Sequence, residues 1–176
     1  MSPKLPERIA WAVELLDVRP DDQVLEFGCG SGVAAAAIAD RLTGPLGRLV
    51  AIDRSATAIE RARARTAAHI AAGTVELHRV DLAGFRSEPH RFDVAFGVNV
   101  NVFWISSADD ELRVLASALR PEGTLRLIYE GPPGSGAPDV GPTVAARLER
   151  HGFAAEITED GGPSGRLMCV TGRLRR

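Results

Sequence analysis

Length, composition and charge describe one globular domain that is close to neutral. The chain has 176 residues, of which 45% are hydrophobic, and its formal net charge at pH 7 is -2. A chain of this size buries most of its apolar surface in one core, and no long polar tract divides it, so we expect a single domain over residues 1–176. The charge balance argues against a protein whose main work is to grip a phosphate backbone, and no nucleic-acid partner is expected.

The lack of a recognisable targeting signal and the two isolated cysteines predict a cytoplasmic protein with reduced thiols. The sequence has no apolar run of transmembrane length and no basic, apolar leader, so no membrane association is expected. Cys29 and Cys169 lack the spacing of a metal site and are expected to be free thiols. Because His, Cys and Asp do not cluster, no metal is expected either.

The first predicted element is an amphipathic helix over about residues 5–18. Its apolar face comprises Ile9, Trp11, Ala12, Leu15 and Leu16. Pro20 and the two aspartates after it break this pattern before the first strand. We expect the helix to pack on the domain; the alternative is that its first turn closes over a ligand.

The most specific pattern is an apolar run closed by an acid and three alternating glycines, Val24-Leu25-Glu26-Phe27-Gly28-Cys29-Gly30-Ser31-Gly32. It predicts a strand, a tight turn and a helix N-terminus, where the backbone can approach a ligand closely. A dinucleotide fingerprint needs its third glycine at the next position, which Val33 occupies, so NAD is disfavoured. Glu26, two residues before the first glycine, favours a zwitterionic or cationic ligand. The alternative is a tight turn that merely needs glycine.

Two further predicted strands also end in carboxylates. Residues 48–52 form an apolar run that ends in Asp53, and a strand over residues 74–80 stops at Asp81. Ligands of an open α/β sheet bind outside the carboxyl ends of its strands. We therefore expect Glu26, Asp53 and Asp81 to face one crevice.

The remaining sequence continues the alternation of helices and strands. Ser55 and Ser107 stand where helices are expected to begin, the first of them long and rich in alanine and arginine. Pro121 and Gly123 break the chain before the fifth strand. The other predicted elements are strands over residues 92–96 and 124–129, an irregular loop over 130–142, a helix over 143–151, and strands over 153–158 and 166–171 that form a C-terminal hairpin over about 153–173, with a turn at 161–163.

Three of these segments, taken in order, resemble consecutive motifs of class I S-adenosylmethionine (SAM) dependent methyltransferases: Glu26 to Gly32, Ala51-Ile52-Asp53 and Val80-Asp81-Leu82. The similarity covers nearly the whole chain. It implies an α/β fold with a single doubly wound seven-stranded sheet, mostly parallel, with an antiparallel C-terminal strand. It also implies SAM as the cofactor and S-adenosylhomocysteine as its product.

The resemblance implies a role for each motif residue. Asp53 would bind the ribose hydroxyls, Asp81 the adenine amino group, and Leu82 would lie beside the ring. Glu26 would hold the turn and the methionine ammonium, directly or through water, and the carbonyls after strand four would receive the same ammonium. The cofactor-binding residues implied are Glu26, Phe27, Gly28, Cys29, Gly30, Gly32, Asp53, Arg54, Asp81, Leu82 and Gly97.

The acceptor is expected beside the segment after strand four, Val98-Asn99-Val100-Asn101-Val102-Phe103-Trp104. It departs from the Asn/Asp-Pro-Pro-aromatic motif of enzymes that methylate exocyclic or amide nitrogens, which disfavours base methylation. The predicted substrate residues are Asn99 and Asn101 as hydrogen-bonding groups, Phe103 and Trp104 as an apolar wall, and Tyr129. The alternative is a capped loop whose aromatic residues belong to the core.

Methyl transfer from a sulfonium requires alignment and exclusion of water rather than one fixed catalytic residue. The catalytic residue is therefore unknown, and the candidates are Asn99, Tyr129 and Glu130, of which the last two end strand five. The resulting hypothesis is in-line methyl transfer from SAM to a small-molecule acceptor by a monomer or homodimer. The alternatives are a protein or RNA methyltransferase and a non-catalytic SAM-binding module.

Overall fold

A computed structural model of the chain describes residues 5–133, 139–159 and 165–175. The predicted turn at 161–163 and part of the predicted loop over 130–142 lie outside these residues. The strands are β1 (Gln23–Phe27), β2 (Arg48–Asp53), β3 (Val75–Arg79), β4 (Phe92–Val98), β5 (Leu119–Glu130), β6 (Phe153–Glu159) and β7 (Leu167–Leu174). The helices are α1 (Glu7–Leu16), α2 (Val33–Ala39), α3 (Ala56–Arg65), α4 (Ala67–Ala71), α5 (Val102–Ile105), α6 (Asp109–Ala118) and α7 (Gly141–Arg150).

The strands form one seven-stranded sheet in the order β3-β2-β1-β4-β5-β7-β6. β1 pairs in parallel with β2 and β4, and β7 pairs antiparallel with both β5 and β6. The C-terminal hairpin thus inserts its second strand next to β5. The predicted doubly wound sheet with one antiparallel C-terminal strand is confirmed.

Helices cover both faces of the sheet, because alternate residues of the buried strands point to opposite sides. On one face α1, α2 and α3 pack over a cluster that includes Ile9, Val24, Ile38, Leu49 and Phe96. On the other face α5, α6 and α7 pack over a second cluster that includes Leu25, Phe103, Leu112, Leu125 and Leu148. None of the helices in the described ranges is both long enough and apolar enough to cross a membrane.

The helix after β2 begins as predicted but is interrupted at Thr66. The Ala58 N–H donates to the hydroxyl of Ser55 at 3.3 Å, which caps α3. The buried Thr66 donates its hydroxyl to the Ala62 carbonyl at 2.9 Å, and this back-bonding by threonine bends helices. The single long helix predicted here is therefore two consecutive helices, α3 and α4.

Ser107 does not begin α6, the second helix after β4. The residue before α6 is Ala108, in the left-handed conformation with φ 54°, and the Ser107 hydroxyl donates to the Asp109 carboxylate at 2.8 Å. The first turn of α6 contains Asp109, Asp110 and Glu111, whose negative charges are stabilised by the positive end of the helix dipole. α5 was not predicted as a helix.

Candidate functional site

A cleft of about 560 Å³ lies where the order of the strands reverses direction. β1 leads to β2 and β3 on one side, and β4 starts the other half of the sheet, so the carboxyl ends of β1 and β4 flank the usual ligand site of such sheets. The volume is that of a small-molecule site, which measures roughly 300–1,000 Å³. Several residues predicted from the sequence line the cleft: Phe27, Gly28, Asp53, Arg54, Asp81, Leu82, Asn99 and Asn101.

Asp53 ends β2 and holds the glycine turn in place. Its Oδ2 accepts a hydrogen bond from the Gly30 N–H at 2.9 Å, and its Oδ1 accepts one from the Ser55 N–H at 2.8 Å. Each carboxylate oxygen has a further lone pair. Asp53 can therefore accept the hydroxyl groups of a ribose and keep both backbone bonds.

Glu26, predicted to face the crevice with Asp53 and Asp81, is buried on β1, only 3% exposed, and is not among the described residues that line the cleft, although Phe27 and Gly28 directly after it are. Its neighbours in register on β2 and β4 are Ala51 and Phe96, both apolar. Burial, and then the negative charge of Asp53, raise the pKa of Glu26 from 4.5 to about 8. Its Oε2 has no hydrogen-bond partner among the described residues. Because an unpartnered buried oxygen costs free energy, a cationic donor against this atom would stabilise the site.

The glycines of the turn differ in what surrounds them. Gly30 and Gly32 have positive φ angles of +54° and +74°. A Cβ on Gly30 would meet no atom within 4 Å, whereas a Cβ on Gly32 would lie 2.9 Å from the Cα and Cβ of Ala62. Gly30 leaves room for a ligand, and Gly32, predicted as a cofactor residue, allows α2 to begin close to α3.

Two other predicted cofactor residues, Cys29 in the glycine turn and Gly97 on β4, contact the residues that line the cleft. Cys29 is buried, its N–H donates to the Ile52 carbonyl at 3.0 Å, and burial raises the pKa of its thiol. Gly97 faces the ring of Phe27, and any side chain there would collide with it. Cys29 and Gly97 therefore fix the shape of the cleft floor.

The end of the cleft beyond β2 and β3 is lined by Arg54, Asp81 and Leu82. Asp81 Oδ1 accepts a hydrogen bond from the Gly84 N–H at 2.6 Å, which closes the turn after β3. Ile105 and Glu111 line the same cleft and were not predicted as site residues. No sequence signal marked Ile105, because it lies in α5, which was not predicted, and Glu111 lies in the first turn of α6 and not at the end of a strand.

Asn99 lies at the opposite side of the cleft and ties β4 to β5. Its φ is 56°, its N–H donates to the Ile128 carbonyl at 2.8 Å, and its Oδ1 accepts a hydrogen bond from the Glu130 N–H at 2.9 Å. Asparagine tolerates this left-handed conformation better than most residues. The side chain is thus fixed by the fold at the edge of the cleft.

The aromatic residues after Asn101 take positions that differ from the prediction. Phe103 is fully buried, with its ring 5.7 Å from that of Phe27, so it belongs to the core and not to an acceptor wall. Trp104 is 38% exposed, and its indole N–H donates to Asn101 Oδ1 at 3.2 Å. Of Asn101, Phe103 and Trp104, Asn101 alone is among the described residues that line the cleft.

Tyr129 and Glu130 end β5 as predicted, but both are engaged. The Tyr129 hydroxyl donates to the Val100 carbonyl at 3.2 Å, and burial raises the pKa of this phenol. Glu130 accepts hydrogen bonds from Arg8 through Oε2 and from Arg166 through Oε1, both at 3.1 Å. Glu130 thereby joins α1 to the start of β7.

These residues fit SAM, the cofactor that the motif order implies. The unpartnered Glu26 Oε2 suits an ammonium, and the open space over Gly30 admits a ligand. Asp53 retains lone pairs for a ribose, and Asp81 and Leu82 offer a carboxylate and an apolar surface further along the cleft. The set combines acidic and apolar groups, as a cationic nucleoside requires.

The order of motifs also matches a known family along the chain. A family model described as Methyltransferase domain matches residues 24–123. The chain belongs to the methyltransferase domain family. The resemblance stated from the sequence motifs is confirmed, and this methyltransferase domain has the fold of SAM-dependent methyltransferases of class I.

Two of the curated relatives share about a third of their aligned residues or fewer with this chain. The methyltransferase domain is 35% identical over 159 residues to a protein-L-isoaspartate O-methyltransferase of Methylorubrum extorquens, covering 90% of this chain and 60% of the relative. It is 28% identical over 121 residues to the ubiquinone/menaquinone biosynthesis C-methyltransferase UbiE of Pseudomonas putida, covering 67% of this chain and 45% of the relative. The chain thus spans less than two thirds of these curated relatives.

Among solved structures, a SAM-dependent methyltransferase from Aquifex aeolicus superposes with a TM-score of 0.78 at 17% identity. The superposition covers 96% of this chain and 89% of that structure. This likeness concerns the fold.

Proposed function

We propose that the methyltransferase domain transfers a methyl group from SAM to a small-molecule acceptor. The observation that carries the proposal is Glu26, a buried carboxyl with an unpartnered oxygen, directly before the cleft residues Phe27 and Gly28 at the switch point of the sheet. Asp53 lies close enough to raise the pKa of Glu26, and its carboxylate contacts the glycine turn that follows Glu26. A cationic, ribose-bearing molecule complements this pair.

The residues of the chain bind and orient, and need supply no covalent chemistry. Bound SAM supplies a methyl group on a sulfonium, a leaving group that is already activated. Glu26 would accept a hydrogen bond from the methionine ammonium, Asp53 would hold the ribose, and Leu82 would cover the adenine. The apolar side chains of Val98, Val100 and Val102 would exclude water from the reacting atoms.

A small acceptor is supported by the volume of the cleft, about 560 Å³. A protein acceptor is the second candidate, since the relative from Methylorubrum extorquens is a protein-L-isoaspartate O-methyltransferase. A small-molecule acceptor and a protein acceptor can be distinguished with methyl-labelled SAM, because the label then enters either metabolites or protein.

Titration calorimetry with S-adenosylhomocysteine and with NAD tests the cofactor. We expect binding of S-adenosylhomocysteine with a Kd in about the micromolar range and no measurable binding of NAD. Methyl-labelled SAM, incubated with the protein and with separate metabolite and macromolecule fractions, then tests the acceptor. Label in the metabolite fraction supports the proposal, label in protein supports the second candidate, and binding without any transfer supports a non-catalytic module.

A further inference from the structure

We infer that the acceptor is a carboxylate, held by the side-chain amide of Asn99 and converted to a methyl ester. This rests on the proposed function, since it names the chemical class of molecule that the same cleft would methylate. Two features of the acceptor side point to this class: the orientation of the Asn99 amide, and the hydrogen bonds that occupy the nearby candidate bases.

The Asn99 amide offers the cleft N–H donors. The Glu130 N–H can only donate, so the amide atom it meets at 2.9 Å is the oxygen, Oδ1. The Nδ2 end has no partner within residues 5–133, 139–159 and 165–175, and Asn99 lines the cleft. Because Oδ1 already accepts one hydrogen bond and Nδ2 donates none to a described residue, the unused groups of the amide are chiefly N–H donors, which suit an oxygen atom of the acceptor.

The side chains beside Asn99 that could remove a proton are already engaged. The Tyr129 hydroxyl donates to the Val100 carbonyl, and its raised pKa keeps it protonated near neutral pH. Both oxygens of Glu130 accept hydrogen bonds from arginines, Arg8 and Arg166. None of the four histidines is among the described residues that line the cleft.

The cleft also contains carboxylates of its own. Asp53 and Asp81 hold backbone N–H groups of the turns after β2 and β3. Glu111, at the start of α6, is the remaining carboxylate among the described cleft residues. A base role for Glu111 predicts that Glu111→Gln abolishes methyl transfer, whereas a carboxylate acceptor needs no base.

An acceptor that needs no deprotonation fits this arrangement. A carboxylic acid has a pKa of about 4 and is ~99% or more ionised at pH 7, whereas a phenol with a pKa of about 10 is ionised to only ~0.1%. One carboxylate oxygen would accept the hydrogen bond from Asn99 Nδ2. The other would donate its lone pair to form the O–CH3 bond while the C–S bond breaks and its electron pair stays on sulfur. No proton moves in this step.

Alkali distinguishes the product classes, because methyl esters hydrolyse to volatile methanol, and ethers and N-methyl groups do not. We would incubate the full chain with [methyl-3H]SAM and a low-molecular-mass metabolite fraction, then treat the products with base. Volatile label released by alkali supports a carboxylate acceptor. Alkali-stable label overturns the inference and leaves methyl transfer standing. No label in either form overturns the proposed function together with the inference.

The Asn99→Asp variant tests the residue itself. It keeps an oxygen for the Glu130 N–H and tolerates the left-handed backbone, but replaces the donors with a negative charge. We expect the KM for the acid acceptor to rise about tenfold to a hundredfold, with the Kd for S-adenosylhomocysteine changed by less than about twofold. Equal loss of both would indicate a purely structural role and overturn the assignment.

A matched control makes the same amide-to-carboxylate exchange elsewhere. Gln23→Glu adds one negative charge at the amino end of β1, at the opposite edge of the sheet, where the side-chain amide contacts the Leu46 carbonyl. We expect it to leave the KM unchanged. At saturating SAM the rate should also stay level from about pH 6 to about pH 9. A rate that rises across this range, or a rate that is lost in Glu111→Gln while S-adenosylhomocysteine still binds, would contradict the inference.

Discussion

At the scale of single residues, Glu26 makes the folding of this domain depend on pH. Burial and the charge of Asp53 raise the pKa of Glu26 from 4.5 to about 8 in the folded state. Its carboxyl therefore binds a proton more tightly in the folded chain than in the unfolded chain. The contribution of this group to stability is complete below about pH 4.5 and is lost progressively as the pH rises to about 8.

We predict that Glu26→Gln removes this part of the pH dependence. Without ligand, the free energy of unfolding of the wild type should fall relative to that of the variant between about pH 5 and pH 8, by at most about 4 kcal/mol. Urea denaturation of both proteins across this range measures the difference. Parallel curves for the two proteins would show that Glu26 is ionised in the folded state throughout.

The same residue should couple ligand binding to proton release. An ammonium against Oε2 stabilises the carboxylate, so the affinity for SAM should increase with pH up to about pH 8 and binding at pH 7 should release up to about one proton. Calorimetry at pH 7 in buffers of different ionisation enthalpy gives the number released. Glu26→Gln should release none, and equal release from both proteins would assign the proton to another group.

Asp53 accepts hydrogen bonds from backbone N–H groups and is proposed to bind the ribose, and two substitutions separate these roles. Asp53→Ala removes the acceptor for the Gly30 and Ser55 N–H groups as well as for a ribose, and should weaken SAM binding by ~1–3 kcal/mol. Asp53→Asn keeps one oxygen acceptor and should lose less. Calorimetry with S-adenosylhomocysteine measures the loss of affinity in each variant. Unchanged affinity in Asp53→Ala would show that Asp53 does not bind the cofactor.

At the scale of elements, the junction between β1 and α2 depends on how closely α3 approaches. Gly32→Ala should cost about 2–4 kcal/mol of folding stability without any ligand, from its positive φ and from the contact of the new methyl with Ala62. Gly30→Ala is the matched control, with a positive φ and open space, and should cost about 1–2 kcal/mol. Denaturation midpoints of the two variants test this ordering, and a larger loss in Gly30→Ala would contradict it.

Buried strands that end in acids could be predicted from the sequence, whereas the start of β5 and the short helix α5 could not. β5 begins at Leu119 and runs through Pro121 and Gly123, which were expected to break the chain before it. β1 and β2 are buried runs with acids at their ends, and their observed bounds lie within about one residue of those predicted. α5 has only four residues, Val102–Ile105, too few to show a helical period. Its conformation follows from burial of Phe103 against Phe27, a contact between distant segments of the chain.

At the scale of the molecule, the order of the strands could be predicted because the motif sequence identified a known topology. Periodicity alone would not have placed β7 between β5 and β6. Sequence position was also enough to place two carboxylates of the site. Asp53 and Asp81 were predicted at the cleft because they stand at or just after the ends of β2 and β3. The ion pairs of Glu130 with Arg8 and Arg166 could not be predicted, because the partners lie 122 and 36 positions away in the sequence.

The structure of a complex with S-adenosylhomocysteine tests the central claim most directly. We expect the nucleoside in the cleft between β1 and β4, with its ammonium against Glu26 Oε2, its ribose on Asp53 and its adenine beside Leu82. A ligand bound elsewhere on the sheet, or in this cleft with its ammonium directed away from Glu26, would contradict the account.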